Sequence, residues 1–342
     1  MAPVLIEVGR LDPLATSEDL IARRCARELE SRGLDWRPLA RAHGLDLAQP
    51  RLPGMRILVQ GADAFLREAA RLADDPRLGW KLGDVDLKDM GVLGYSVLNE
   101  PDVRRALQLL VDHAGLLSEA AQLVLQVTND EATLAQSRSS NAVTSQIWLR
   151  MFLGLLERLC GPDFEPLRVG VYGTDARHLA GLARHAGLRA EGGDAPVTFV
   201  TFPAALLERP VPGADPSLAR TLQPLREQAK TQLRRYAREL AALRDIIVPL
   251  LTDGGATLPH VAIALGMAPE SLRKKLGQRG LRLTWIVDAI RADLATTLLA
   301  KPNMTLSRAA EELGYRSTIQ LTRAYRRWWA APPRDGRGRP LH

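Results

Sequence analysis

The sequence predicts two domains of different fold class joined by a helix. These are a mixed α/β front domain over residues 1–212, a connector helix over 213–235 and an all-α domain over 236–342. Three observations favour this division: a length of 342 residues, which is enough for two hydrophobic cores, a concentration of basic residues near the C-terminus, and an internal repeat in the same region.

The front domain is predicted to combine helices with a few strands. Apolar residues at helical spacing predict a helix capped by Ser17 and ended by Gly33, whereas the glycines of "GVLGYSVLN" (91–99) favour a turn or strand. Alternating residues around an Asn-Asp turn predict a hairpin over 123–137, followed by an apolar helix over 143–160. Further patterns predict strands in "LRVGVYG" (167–173) and "VTFVTFPAALL" (197–207), and a helix between them in "DARHLAGLARHAGL" (175–188).

The connector helix is predicted from one apolar stripe that continues past residue 235. Its members recur every three or four residues and are Leu225, Ala229, Leu233, Tyr236, Leu240, Leu243 and Ile247. Pro249 should kink or end the helix. The stripe favours packing against the chain's own domains, and a homodimer contact remains open.

Basic residues are concentrated in the last hundred positions. Residues 1–240 contain 30 Lys and Arg against 31 Asp and Glu, whereas residues 241–342 contain 16 against 8, so the net charge of +7 arises in the C-terminal part. This asymmetry predicts a C-terminal module that faces a polyanion. Charge alone does not distinguish nucleic acid from an acidic membrane surface.

Targeting and chemical motifs are sparse. No stretch approaches the roughly 18 apolar residues that a membrane span needs, and the N-terminus lacks the pattern of a secretion signal, so we expect a cytoplasmic protein with no membrane partner.

Cys25 and Cys160 stand in apolar helical patterns and are expected to be buried and reduced. His178 and His185 lie seven residues apart, but nothing completes a ligand set, so neither a metal nor another cofactor is predicted. No catalytic motif stands out.

The C-terminal repeat has the pattern of two helix-turn-helix units, over 257–279 and 305–328. "VAIALGMAPESLRKKL" (261–276) and "AAEELGYRSTIQLTRAY" (309–325) match across a one-residue insertion. Gly266 and Gly314 suit the left-handed position that ends each first helix. Ser317 predicts a cap for the last helix, with Gln320 three residues on, while the equivalent Ala268 caps poorly and is followed by a proline.

The second helix of each copy is predicted to bury one face and expose a basic one. Leu272 and Leu276 are assigned to the buried face of the first copy, and Leu321, Tyr325 and Trp328 to that of the second. A long helix between the copies, with apolar residues in steps of four, would hold the two basic faces apart. Successive major-groove segments on one side of a duplex are about 34 Å apart, so the repeat is suited to double-stranded DNA.

With these residues, the segment from about 236 to 337 resembles the DNA-binding domain of the AraC/XylS family of bacterial transcription regulators. The resemblance runs through "LRKKL", "IRADLATTLL", "AAEELGY" and "LTRAYRRW". The front part, through "DPRLGWKLG" and "VTFPAALLERPVPGADP", resembles the arabinose-binding-type effector domain of a subgroup of that family. In the first copy Lys274 stands where the family usually has an arginine, and lysine does not form a two-pronged contact with guanine.

The resemblance implies a ligand-responsive, sequence-specific transcription regulator that binds an operator and senses a small molecule. Carried over by position, the residues implied to contact bases are Glu270, Arg273, Lys274, Thr318, Ile319, Gln320 and Arg323, and those implied to contact phosphates are Arg326 and Arg327. The resemblance leaves open whether RNA polymerase is a further partner. The effector, the operator and the choice between activation and repression are not predicted.

Two further assignments come from the residues rather than from the resemblance. Trp148, Met151 and Phe152, on the apolar helix of the front domain, are candidates for an effector pocket, with core packing as the alternative for each. The competing functions are a DNA-tethered enzyme that acts on a small metabolite, and an architectural or RNA-binding protein.

Overall fold

The computed structural model describes residues 12–50, 55–136, 141–173, 195, 197–252 and 254–333. These residues form two compact units. Of the described chain, the first unit contains residues 20–34 and 66–233, and the second contains residues 12–19, 35–65 and 234–333. The predicted helix over 175–188 lies outside the described residues.

The helices and strands are numbered in chain order. The helices are α1 (Leu20–Ser31), α2 (Arg37–Ala42), α3 (Val59–Leu72), α4 (Leu78–Leu82), α5 (Gly91–Leu98), α6 (Val103–His113), α7 (Ala142–Cys160), α8 (Pro216–Leu250), α9 (Leu258–Ala264), α10 (Pro269–Gly277), α11 (Leu283–Leu299), α12 (Leu306–Glu312) and α13 (Thr318–Trp329). The strands are β1 (Thr16–Ser17), β2 (Ile57–Leu58), β3 (Leu123–Val127), β4 (Glu131–Gln136), β5 (Arg168–Gly170) and β6 (Thr198–Pro203). Short 3₁₀ helices occupy Leu87–Met90, Ala114–Leu116 and Ala204–Glu208.

The core of the first unit lies against a four-stranded antiparallel sheet in the order β3-β4-β6-β5. The hairpin predicted over 123–137 is present, and Thr133 of β4 lies opposite Thr201 of β6, with their hydroxyls 3.0 Å apart. The predicted apolar helix is α7, which begins where the Asn141 side chain accepts a hydrogen bond from the Thr144 amide. Leu134, Phe152, Leu156 and Phe202 are among the side chains that fill the core.

Two predicted elements of the front part are wrong. Ser17 does not cap α1, because it lies in β1 opposite Ile57 and the helix begins at Leu20. The segment 91–99 is not a turn or strand but contains α5. A Cβ atom on Gly94 would lie 1.7 Å from the carbonyl oxygen of Leu87, so this glycine is required by close packing inside a helix rather than by a turn.

The second unit includes N-terminal segments as well as the C-terminal helices. Leu58 lies in β2 of the small β1-β2 sheet, and Leu14 lies just before β1. Both are buried in one apolar cluster with Leu240 of α8 and Ile286 of α11. These compact units therefore differ from the linear boundaries expected from the sequence, because apolar side chains near the N-terminus complete a core built mainly from residues 234–333.

The connector assigned to 213–235 is part of a longer helix, whose end near Pro249 was expected from the sequence. It is α8, which runs to Leu250, one residue beyond Pro249. Leu240, Leu243 and Ile247 of its stripe are buried in the second unit, whereas Leu225 is 54% exposed. No helix among the described residues is long and apolar enough to cross a membrane.

The two cysteine thiols are buried, and we expect them to be unreactive in the folded protein. Burial raises the pKa of Cys25 to about 12 and that of Cys160 to about 11. Because the thiolate is the reactive form, both should resist a thiol reagent such as Ellman's at about pH 8 and react only after unfolding in denaturant. Rapid stoichiometric labelling of the native protein would contradict this.

Candidate nucleic-acid interface

The C-terminal helices form two helix-turn-helix units that correspond to the predicted ones. In the first, α9 is followed by Gly266 at φ 66° and then by α10, and in the second, α12 is followed by Gly314 at φ 70° and then by α13. Both glycines have the left-handed conformation expected of them. Ala262 and Ala310, four residues before them, are 0% and 3% exposed, so each first helix has a small residue at its buried crossing.

The second helices of the two units, α10 and α13, are called the reading helices below. Both begin as their sequences predict. The Ser317 hydroxyl accepts a hydrogen bond from the Gln320 amide at 3.3 Å, whereas Ala268 makes no side-chain cap and Pro269 occupies the first turn of α10. The Gln320 side-chain oxygen accepts from the Arg316 amide at 3.1 Å. This contact stabilises the turn before α13 and leaves the side-chain nitrogen of Gln320 available for another partner.

The turns of the two units differ in burial. Leu313 is fully buried, but Leu265 at the matching position is 37% exposed. A Cβ atom on Gly314 would lie 1.9 Å from the Leu251 carbonyl oxygen, whereas Gly266 has no heavy atom within 4 Å of that position. The second turn is therefore packed into the unit, while the first is open.

The outward face of α10 carries the three residues assigned to base contact in the first copy. Glu270, Arg273 and Lys274 are all exposed, while Leu272 and Leu276 are buried as expected. Arg273 forms an ion pair with Glu270 at 3.2 Å. The Lys274 side chain has no hydrogen bond or ion pair with the described residues.

The outward face of α13 is exposed from its first turn to its last. Ile319 is 62% exposed, and Gln320 and Arg323 are exposed, while Thr318 is half-buried. The side chains of Arg323 and the exposed Arg326 have no hydrogen bond or ion pair with another described residue. On the opposite face Leu321 and Trp328 are buried and Tyr325 is half-buried, which confirms the predicted division of this helix.

Arg327 differs from its neighbours because it already has partners. Its Nη2 donates to Oδ1 of Asp288 at 2.6 Å, and its Nη1 donates to the carbonyl oxygen of Ala42 at 3.2 Å. The Trp328 indole nitrogen donates to the other oxygen of Asp288 at 3.0 Å. Asp288 thus connects α11 to the last turn of α13, and the phosphate role of Arg327 stays a prediction.

Sequence reasoning did not assign the residues that position the second unit. Besides Asp288, Arg291 of α11 donates from Nε to the Leu313 carbonyl oxygen at 2.9 Å, and its guanidinium lies 4.9 Å from the centre of the Tyr315 ring. Burial, reinforced by the Asp288 charge, raises the pKa of Tyr315 to about 12, although the Arg291 and Arg327 charges oppose this. The available signal was the presence of three charged residues, Asp288, Arg291 and Asp293, in a mostly apolar helix.

The candidate effector residues share the wall of one cavity in the first unit. Trp148, Met151 and Phe152 of α7 meet Leu87 and Met90 around a wholly apolar space of about 10 Å³. Trp148 is 8% exposed and Phe152 is 1% exposed, with ring centres 5.8 Å apart. The space is about that of a single water molecule, so core packing accounts for these residues in this conformation.

The described residues contain no group of three or more His, Cys, Asp and Glu that could hold a metal ion. His178 and His185 lie outside the described part of the chain.

Comparison with known proteins identifies both parts of the chain. Residues 33–211, just over half of it, match the arabinose-binding domain found at the N-terminus of AraC transcription regulators, and residues 261–339 match a helix-turn-helix domain. The chain belongs to the AraC family of transcription regulators. It combines the family's effector-binding domain with a DNA-binding domain, which makes it a ligand-responsive DNA-binding regulator.

Proteins similar to this chain include other transcription regulators. The ornithine utilization regulator of Pseudomonas aeruginosa is 26% identical over 84% of this chain and 86% of its own length. VirS of Mycobacterium tuberculosis is 32% identical over 39% of this chain and 38% of its own. The crystal structure of the transcriptional regulator CdpR from Pseudomonas aeruginosa is 19% identical, covers 96% of this chain and 98% of that one, and aligns with a TM-score of 0.48.

The contrast between the two turn glycines predicts unequal costs of substitution. Gly266→Ala should lower the free energy of unfolding by about 1 kcal/mol, because alanine is strained at positive φ but has open space. Gly314→Ala adds a collision with the Leu251 carbonyl and should cost more than about 2 kcal/mol. Urea unfolding of both full-length variants measures the difference, and equal losses would show that the second turn is not held as described.

Proposed function

We propose that the chain regulates transcription by inserting α10 and α13 into successive major-groove segments of a specific operator. The observation that carries this proposal is the presence, on both reading helices, of exposed cationic side chains that have no partner among the described residues: Lys274 on α10, and Arg323 and Arg326 on α13. Other arginines nearby are paired, such as Arg308 with Glu312 at 3.2 Å. Unpaired guanidinium and ammonium groups on one surface are available to a polyanion without losing an existing ion pair.

The length of the helix between the two units supports the same proposal. α11, which lies between the two units in sequence, has 17 residues and so spans about 25 Å at about 1.5 Å per residue. Major-groove segments on one side of a duplex are about 34 Å apart. Two reading helices held by this rod could enter consecutive segments if the duplex bends modestly or the helices tilt.

Within this arrangement the side chains would have different roles. We propose that Glu270, Arg273, Lys274, Thr318, Ile319, Gln320 and Arg323 meet base edges and that Arg326 and Arg327 meet phosphates. Arginine at a base edge gives selectivity because its fork matches guanine, whereas contact with a phosphate gives affinity and salt dependence. Arg327 would need to share or exchange its contacts with Asp288 and Ala42 to reach a phosphate.

The front domain would supply the response to a small molecule. Trp148, Met151 and Phe152 are suited to an apolar effector only if their cavity of about 10 Å³ enlarges when the effector binds. The remaining parts of the proposal are a cytoplasmic site of action, a contact with RNA polymerase, and self-association of the chain. It assigns no catalytic step to the protein.

Two neighbouring arginines on α13 should affect DNA binding differently. In full-length protein, Arg323→Ala should reduce the preference for the selected operator over unrelated duplexes, by about tenfold or more. Arg326→Ala should instead weaken binding about equally to all duplexes and lower the slope of log affinity against log salt by about 1. Operator fragments selected from genomic DNA and titrated at several salt concentrations provide the measurement.

Arg308→Ala is the matched control because Arg308 is exposed but paired with Glu312 outside the reading helices. It should leave both discrimination and the salt slope almost unchanged. If wild-type protein bound all duplexes with equal affinity, the specific-regulator proposal would fail. If Arg323→Ala and Arg326→Ala exchanged their effects, the assignment of the two sides of α13 would be wrong.

A further inference from the structure

An acidic residue connects a long helix to a reading helix in both copies of the repeat. We call α8 and α11 the scaffold helices, because each precedes one helix-turn-helix unit in the chain. Asp288 of α11 lies 40 residues before Trp328, from which it accepts a hydrogen bond. Glu239 of α8 lies 40 residues before Arg279, and the two side chains form an ion pair at 2.9 Å. The repeat therefore includes part of the helix that precedes each helix-turn-helix unit.

The Glu239 carboxylate faces three cations, all within the second unit. Its Oε2 lies 2.9 Å from Nη2 of Arg279 and 3.8 Å from Nζ of Lys275, and its Oε1 lies 3.2 Å from Nε of Arg235. Arg235 is on α8 itself, whereas Lys275 is in the last turn of α10 and Arg279 follows the end of that helix. One side chain of α8 thus contacts the C-terminal end of α10 at two points.

Arg279 is restrained from a second side by an aromatic ring. Its guanidinium lies 4.5 Å from the centre of the Tyr236 ring, and Tyr236 stands three residues before Glu239 on α8. The same spacing recurs in the second copy, where Trp285 stands three residues before Asp288. A guanidinium that is paired with a carboxylate and also lies over a ring has few other positions to adopt. The end of α10 is therefore fixed against α8.

The opposite end of α10 has weaker restraints than the start of α13. The turn before α10 is open, Ala268 provides no side-chain cap, and the buried side chains of α10 are those of Leu272 and Leu276. This helix has nine residues and so is about 13 Å long, which means that a rotation of about 10° at its C-terminal end would move its first residue by about 2 Å. Binding groups need to be placed to within about 0.5 Å. The contacts of Glu239 therefore limit where the base-reading side chains of α10 lie.

We propose that Glu239 is a positioning residue that sets the orientation of α10 and, through it, the base selectivity of the first helix-turn-helix unit. It also keeps Lys275 and Arg279 paired, so these cations add less to the binding of unrelated duplexes than unpaired cations would. The orientation of α10 is a property of the protein alone. Only the effect on base selectivity rests on the proposed function.

The orientation of α10 is tested by hydrogen exchange of the full-length protein without DNA. Glu239→Gln should speed exchange by about threefold or more in peptides that cover α10 and should leave α13 unchanged, because a neutral amide does not pair with the cations at the end of α10. Glu239→Asp should stay near the wild-type rate, since aspartate occupies the equivalent position of the second copy. Unchanged exchange in α10, or equal acceleration of α10 and α13, would overturn the proposal.

Base selectivity is tested by measuring how much each single base-pair change in the selected operator weakens binding. Positions that Lys274→Ala no longer distinguishes define the segment read by α10, and those that Arg323→Ala no longer distinguishes define the segment read by α13. A mismatch typically weakens binding about tenfold. In Glu239→Gln this penalty should fall below about threefold in the α10 segment and stay unchanged in the α13 segment, while unrelated duplexes bind more tightly.

Glu312→Gln is the matched control, because it also removes one carboxylate that is paired with an arginine of the second unit, Arg308 at 3.2 Å. It makes the same change in net charge, so it should raise affinity for all duplexes while the mismatch penalties and the exchange of α10 keep their wild-type values. If Glu312→Gln lowered the penalties as much as Glu239→Gln, net charge rather than position would explain the result and the proposal would fail.

The two measurements separate this proposal from the proposed function. If Glu239→Gln retained the full penalty in the α10 segment, or lost it equally in both segments, the role of Glu239 in selectivity would be rejected. If wild-type protein distinguished no base pairs at all, the proposed function would be at fault and the selectivity role would fall with it. Hydrogen exchange would still decide whether Glu239 orients α10.

Discussion

The carboxylate of Asp288 is the contact on which the geometry of the second helix-turn-helix unit depends. One oxygen accepts from Arg327 at 2.6 Å and the other from the Trp328 indole at 3.0 Å, so a single side chain of α11 holds two consecutive residues of α13. Arg291, one turn further along α11, holds the Leu313 carbonyl before the reading helix begins. Charge-assisted bonds at the C-terminal end of α13 and in the segment that precedes the helix restrict its rotation. The faces that point outward are therefore set by α11.

The second unit also depends on residues far away in sequence. The Arg56 amide donates to the Arg279 carbonyl oxygen at 3.2 Å, and Arg282 pairs with Asp46 at 2.9 Å. With Leu14 and Leu58 in the same core, these contacts make residues 12–19 and 35–65 part of the unit that carries the reading helices. A fragment beginning near residue 236 would lack this packing, and its DNA affinity would not represent that of the full chain.

The sequence predicted the local features of the site better than its long-range ones. Gly266, Gly314 and the Ser317 cap were predictable because each depends on backbone conformation within a few residues. Asp288 was not, because its partners lie about 40 residues away and nothing local indicates which acidic residue will meet an arginine. The failure at 91–99 has a similar origin. Glycine there permits close packing with Leu87, and a local pattern cannot distinguish that use from a turn.

Under the proposed function, the unequal pairing of Arg326 and Arg327 has an energetic consequence for recognition of DNA. An unpaired arginine gains its full contact when it meets a phosphate, whereas Arg327 must give up part of its bonding to Asp288 and Ala42. The net contribution of Arg327 to DNA affinity is the free energy of its phosphate contact minus that of the contacts it gives up. It is therefore smaller than the contribution of Arg326. The net contribution of Arg327, unlike that of an unpaired cation, changes whenever the contacts of Ala42 or Asp288 change. Arg327 is therefore better placed to regulate binding than to strengthen it.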